Sequence, residues 1–177
     1  MKRQLISILL LFLFIAGCDD SDKPGNIKTS GTVTIDNTIY PTGNYYYSIG
    51  FNFSKAEKIP SNGSPKPDII LNNEGLSVFI LQTNSGLNGF SLAWEYADEA
   101  TAKQAFDNLK APVVTQWEDW ANPVRPNQVW IYRSADEHYA KIRIIATFSE
   151  TRNSIDYAEC TFEWVYQPDG SLTFPGK

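Results

Sequence analysis

Between Tyr45 and Ser54 the chain alternates without a break. Tyr45, Tyr47, Ile49, Phe51 and Phe53 take one phase, and Tyr46, Ser48, Gly50, Asn52 and Ser54 take the other. Side chains of an extended strand point to opposite faces in turn, so a half-buried β-strand is the conformation that gathers the first set on one surface. The same period returns late in the chain. Ala140, Ile142, Ile144, Ala146 and Phe148 share one face of a strand over 138–148, and Ala158, Cys160, Phe162, Trp164 and Tyr166 share one face of a strand over 155–166. With residues 128–134 these form an antiparallel meander. A loop over 149–154 that makes the two apolar faces coincide sets Lys141 opposite Glu163, an exposed pair contributing a few tenths of a kcal/mol. Shorter strands are predicted at Thr32–Asp36, Asp68–Leu71, Val78–Leu81 and Phe90–Trp94. Val78–Leu81 is apolar at every position and is expected to be covered on both sides.

One segment has a different period. Ala102, Ala105, Phe106 and Leu109 recur at i, i+3, i+4 and i+7 behind Asp98, a capping residue, and Pro112 ends the run. The stripe is narrow, so the helix is expected to lie on a sheet. Residues 61–67 and Thr83-Asn84-Ser85-Gly86 read as a loop and a turn. Residues 113–127 carry Trp117, Trp120, Pro123 and Pro126 and read as an aromatic-bearing loop. The predicted class is mostly β, an antiparallel sheet or meander domain with one short surface helix.

The amino end has a separate logic. Met1-Lys2-Arg3 precedes an apolar run of twelve residues, Leu5 to Ala16, then Gly17-Cys18. A basic start, a short apolar centre and small residues at the end make a secretory signal. The run is too short for a spanning helix, which takes about 20 residues. Ile15-Ala16-Gly17-Cys18 resembles the lipobox of bacterial lipoproteins. That resemblance implies removal of residues 1–17 and acylation of Cys18 with three chains, a permanent anchor where one chain gives reversible binding. Residues 18–30 then form a lipidated tether: Asp19-Asp20-Ser21-Asp22-Lys23-Pro24-Gly25 is acidic, with nothing apolar to bury, and is expected to be disordered with a reach of roughly 20 Å. Acidic residues directly after the cysteine also resemble the surface-export signal of Bacteroidetes lipoproteins. The expected location is the outer membrane or cell surface.

Residues 31–177 suffice for one domain. The formal charge is −5, and −7 once Lys2 and Arg3 leave with the signal; with no basic cluster, nucleic acid is not an expected partner. Acylation of Cys18 leaves Cys160 as the one thiol, so no internal disulfide forms. Cys160 falls on an apolar face and reads as a small buried hydrophobe.

Catalytic constellations are scarce. One histidine cannot build a His-rich metal site, and neither a glycine-rich phosphate loop nor a Gly-x-Ser-x-Gly elbow occurs. Two carboxylates suffice for a glycosidase. Glu159 and Glu163, however, fall on the outward face of a strand, and Glu118-Asp119 lie in a loop between Trp117 and Trp120. A binding protein is expected rather than an enzyme.

Gly31-Thr-Val-Thr-Ile-Asp36, the aromatic strand Tyr45–Phe53, Asp68-Ile69, Thr83-Asn-Ser-Gly86, Val129-Trp-Ile-Tyr-Arg-Ser-Ala-Asp136, Ala140-Lys-Ile-Arg-Ile144 and Thr161-Phe-Glu-Trp-Val-Tyr-Gln-Pro-Asp-Gly-Ser-Leu-Thr-Phe174 stand in one order. In that order they resemble the HmuY family of haem-binding lipoproteins from Bacteroidetes and bracket nearly all of the mature domain. The resemblance implies a mostly-β, hand-like fold, haem or another tetrapyrrole as cofactor, and an outer-membrane transporter as partner.

The departures fall where that function would sit. Haem-binding members use two axial histidines or methionines, but Met1 leaves with the signal and His138 is the sole histidine of the mature chain. About 17 residues join the helix to the strand at 128, so the ligand-bearing region is shortened. Ligation by two histidines or two methionines is excluded; one histidine, or histidine with tyrosine, stays open. The candidate cofactor-binding residues are Trp117 and Trp120, stacking on a ring, and His138. The face His138 takes depends on whether its turn has two residues or three. The alternatives are a haem-free binding or assembly lipoprotein, as an importer partner, and a surface carbohydrate binder using the same aromatics.

Overall fold

The computed structural model describes residues 28–83 and 88–175. The predicted signal sequence, Cys18, the predicted tether up to residue 27 and the predicted turn at 84–86 lie outside the described residues. The elements in chain order are β1 (Ser30–Asp36), β2 (Ile39–Thr42), β3 (Tyr45–Asn52), β4 (Glu57–Pro60), β5 (Ile69–Glu74), β6 (Ser77–Gln82), β7 (Phe90–Glu95), α1 (Glu99–Asn108), β8 (Trp120–Ala121), β9 (Gln128–Arg133), β10 (Tyr139–Arg152) and β11 (Ile155–Gln167). The protein is mostly β, with antiparallel sheets and a single short helix. Pairing begins at Ser30 opposite Val165, and Thr29 O accepts the Tyr166 N–H at 2.7 Å, so the domain starts slightly before the predicted strand.

Two sheets face each other. One runs β1-β11-β10-β9-β7; the other runs β2-β3-β5-β6-β8, with β4 attached to β3. Phe51, Phe53, Ile69 and Ile80 of the second sheet meet Trp130, Tyr132, Ile142, Phe162 and Trp164 of the first, which forms the main core. The alternation of β3 accounts for only part of this. Phe51, and Phe53 just past its end, are buried and Tyr47 and Ile49 half-buried, but Ser48 and Asn52 of the opposite phase are buried as well, and Tyr45 and Tyr46 at the hairpin end are exposed. Gly50 fits because its neighbour lies so close; a Cβ there would stand 2.2 Å from Ile69 O. Of the continuous apolar run in β6, Val78, Phe79 and Ile80 are buried and Leu81 is half-buried.

The helix covers the outer face of the first sheet. Asp98 caps it, its Oδ1 accepting the Thr101 N–H at 2.8 Å. Its stripe buries Ala102 and Phe106, and Phe106 joins Val129, Ile131, Val165 and Phe174 in a second core. The centre of this sheet is therefore buried on both faces, by the second sheet on one side and by α1 with the carboxyl-terminal segment on the other.

This layering corrects the predicted hairpin of β10 and β11. The turn is two residues, Asn153 and Ser154, at φ 51° and 65°, with Arg152 opposite Ile155. That tight turn suits the right-handed twist of paired strands. A bulge between Ile144 and Ala146 then shifts the register, so Lys141 stands opposite Val165 and Arg143 opposite Glu163. Past the bulge the faces invert. Thr147 now pairs with Cys160, and Phe148, expected inward, is 47% exposed. Glu163, expected at the surface, is buried beneath α1 with Lys141 and Arg143.

Candidate functional site

Prolines at 112, 123 and 126 keep the chain between α1 and β9 from forming a long strand. It is pinned at points instead. Glu118 exchanges two backbone hydrogen bonds with Phe90, at 2.6 and 3.0 Å. Trp120 and Ala121 form a two-residue strand on β6, and Val124 N–H donates to Val78 O at 2.8 Å, with Ala121 and Val124 buried. Between these pins and the edge strand β7 lies an open groove of about 830 Å³.

Trp120 lines the groove, 49% exposed. Its ring stacks on Phe79 at 5.4 Å and 15°, which fixes the indole plane from behind. Leu92 and the buried Trp130 add the other apolar surface. Most of the lining is polar: Asn88, Gln116, Glu118, Asp119 and Asn122 are all part of it. Gln116 Nε2 donates to Glu118 Oε1 at 2.6 Å, and Asn88 Nδ2 donates to Trp117 O at 3.1 Å. Among the described residues, no Lys, Arg or His lines the groove.

Trp117 takes another place. The Arg133 guanidinium sits 4.4 Å from its ring, Tyr139 lies 6.3 Å away, and the indole packs against the second core. Glu118 bridges to β7 between the two tryptophans, and the bend at Asp119 follows, so the two indoles leave the backbone onto different surfaces.

His138 follows a three-residue turn of Ala135, Asp136 and Glu137. Ser134 N–H donates to His138 O at 2.8 Å, His138 N–H donates to Ser134 Oγ at 3.0 Å, and Glu137 sits at φ 57°. This turn length puts His138 in phase with Ala140, on the face turned toward the second sheet. Nδ1 lies 3.2 Å from Tyr166 Oη, with the rings at 90°. Tyr132 and Asp68 complete the cluster, the Tyr132 hydroxyl donating to Asp68 O at 3.4 Å. Burial, with Asp68 and Asp136 nearby, pushes the Tyr166 phenol up to about 12, so it is neutral at physiological pH. Tyr132 is raised further, first by burial.

Asp68 is shifted upward to about 6. Burial is the main cause and outweighs the Phe53 N–H, which donates to Oδ2 at 2.7 Å; Asp136 raises the value further and His138 lowers it. A carboxyl that binds its proton more tightly when folded contributes stability below its ordinary value of 3.8, and that contribution is lost as pH rises through about 6. Asp68→Asn keeps an acceptor for the Phe53 N–H without the charge. Chemical denaturation at a series of pH values is expected to show the variant more stable by about 2 kcal/mol near pH 7, with the difference fading toward pH 4. Equal pH profiles would refute this.

The three residues singled out for a ligand thus stand on three surfaces: Trp120 in the groove, Trp117 against the second core, and His138 at the end of the main core. The groove also draws on Asn88, Leu92, Asn122 and Trp130, which no sequence pattern marked. Their common feature, adjacency to the edge of β7, exists only once the sheets are formed. Cys160 is fully buried, and burial pushes its thiol up to about 12, which leaves it inert as a nucleophile. Among the described residues no group of three or more His, Cys, Asp or Glu gathers as a metal site. No family model matches the chain, and no curated protein matches it significantly.

Proposed function

We propose that this chain is a lipid-anchored binding lipoprotein of the HmuY type, held on the outer membrane or cell surface through Cys18. It captures a ligand there for an outer-membrane transporter. The observation that carries a binding role is the open groove beside Trp120, a preformed concave site within the usual range for small ligands, about 300–1,000 Å³. The ordered motifs and the lipobox support the family likeness, and the antiparallel mostly-β fold is compatible with it.

Haem or another tetrapyrrole is the ligand that the resemblance implies. His138 is the one imidazole available to iron. Tyr166 accepting the Nδ1–H would leave Nε2 its lone pair, the arrangement by which a neighbouring group orients a metal-binding histidine. With Tyr166 engaged by Nδ1, a single axial histidine is the expected ligation. Haemin titrated into the full-length lipoprotein in detergent is expected to give a saturable Soret shift, lost in His138→Ala. An unchanged spectrum at micromolar protein would remove haem from the reading.

The separation of His138, Trp117 and Trp120 favours a second reading, a haem-free partner subunit of an importer on the same fold. Affinity capture from solubilised native membranes is then expected to recover a transporter barrel. Cys18→Ser should abolish both membrane residence and that recovery.

A further inference from the structure

We propose that the groove beside Trp120 binds an uncharged saccharide. This inference rests on the chain being a binding lipoprotein, but it needs neither haem nor His138.

The first argument is the platform. A half-exposed indole on a two-residue strand is held flat by Phe79 behind it, at 5.4 Å and 15°. The C–H faces of a pyranose pack on such a rigid aromatic surface and cover apolar area that water otherwise meets. The second argument is the wall. Asn88, Gln116 and Asn122 line one groove with Glu118 and Asp119, each amide holding one bond within the protein and keeping its other donor or acceptor sites for a ligand. Each sugar hydroxyl both donates and accepts, and adjacent hydroxyls match the paired oxygens or the O/N fork of these side chains. Glu118 is positioned in advance, with its backbone bonded both ways to Phe90 and its side chain held by Gln116.

Charge narrows the class. Among the described residues two carboxylates and no cation line the groove, so phosphorylated, sulfated or uronate ligands, and the propionates of haem, meet repulsion rather than a counter-charge. The amount of polar lining also disfavours a fatty or fully apolar ligand. An organic cation would suit the carboxylates, but the aromatic surface is one exposed indole rather than the cage that quaternary ammonium groups require.

The test uses the full-length lipoprotein in a detergent without a sugar headgroup. Cellohexaose, maltohexaose, mannohexaose and chitohexaose are titrated separately, followed by tryptophan fluorescence and calorimetry. At least one is expected to bind saturably, about tenfold or more weaker in Trp120→Ala, with Trp120→Phe between the two. Asp119→Ala, at an exposed residue outside the packed core, should weaken binding with an unchanged near-ultraviolet dichroism spectrum. Binding by none of the four, binding unaffected by both Trp120→Ala and Asp119→Ala, or tighter binding of tetramethylammonium or an oligogalacturonate overturns the proposal. A haemin titration on the same sample is scored separately: saccharide binding without a Soret shift leaves the groove assignment standing and removes the haem reading, and the reverse result does the opposite.

Discussion

Replacing Lys141 by methionine is expected to lower stability by about 3 kcal/mol, roughly 10 °C in melting temperature. Lysine on the outer face of a strand would ordinarily reach water, but here α1 covers it and leaves it 1% exposed. Its Nζ donates to Phe106 O at 2.6 Å and Leu109 O at 3.0 Å. Those carbonyls belong to the end of α1, where the helix's own donors run out and only a long bond of 3.4 Å, from the Leu109 N–H, reaches Phe106 O. A basic group there also meets the negative end of the helix dipole, and α1 has no basic residue in its last turn. The Phe106 and Phe174 rings flank the same nitrogen, at 4.8 and 5.7 Å from their centroids. Methionine keeps most of the volume, so the loss reports the unsatisfied helix end rather than a cavity. Urea denaturation measures it, and a loss below about 1 kcal/mol would mean that water reaches those carbonyls.

The second large effect concerns Arg143 and Glu163. Arg143 Nε and Nη2 both donate to Glu163 Oε2, at 3.1 and 3.0 Å, under α1. Lys103 lies 3.4 Å from the other carboxylate oxygen. Arg143→Met takes both guanidinium donors away from the buried Glu163 carboxylate, and a loss of about 3–5 kcal/mol is expected. Glu163→Leu should cost a similar amount. The double variant should recover most of the loss, because a buried pair replaced by apolar side chains is often near neutral. The double-mutant cycle decides this: losses that simply add would show that the two groups are uncoupled.

Both predictions depend on a covering that the sequence does not announce. Lys141, Arg143 and Glu163 alternate with apolar residues as solvent-facing positions do, and the alternation correctly puts them on one face. The same chain encodes the helix by its Asp98 cap and its Ala102–Phe106 stripe, yet no local pattern says which strands the stripe will cover. The hairpin register was hidden for a related reason. Residues 149–152 are polar on both faces, so periodicity cannot separate an exposed strand end from a loop. Ile144-Ile145-Ala146 is apolar in both phases and does not reveal a bulge.

The ligand-directed residues show the same division. Trp120 lies in the groove and Trp117 does not, although both sit in one proline-punctuated loop with carboxylates beside them. The bridge from Glu118 to Phe90 separates them, and it joins residues far apart in the chain. His138 could take either face until the turn length was known. Asn88, Leu92 and Trp130 reach the groove because β7, β9 and the 115–122 segment converge there.

The strand-rich class, the capped helix and the buried character of Cys160 were legible in the sequence. These follow from periods of two and 3.6 residues and from composition, which act locally or over the whole chain. Tertiary structure decided the strand register past the bulge, which charges are buried and which aromatic residue meets solvent in a groove. Each of those outcomes depends on contacts between distant segments, and a side chain's burial is set by what packs over it as much as by the face it takes.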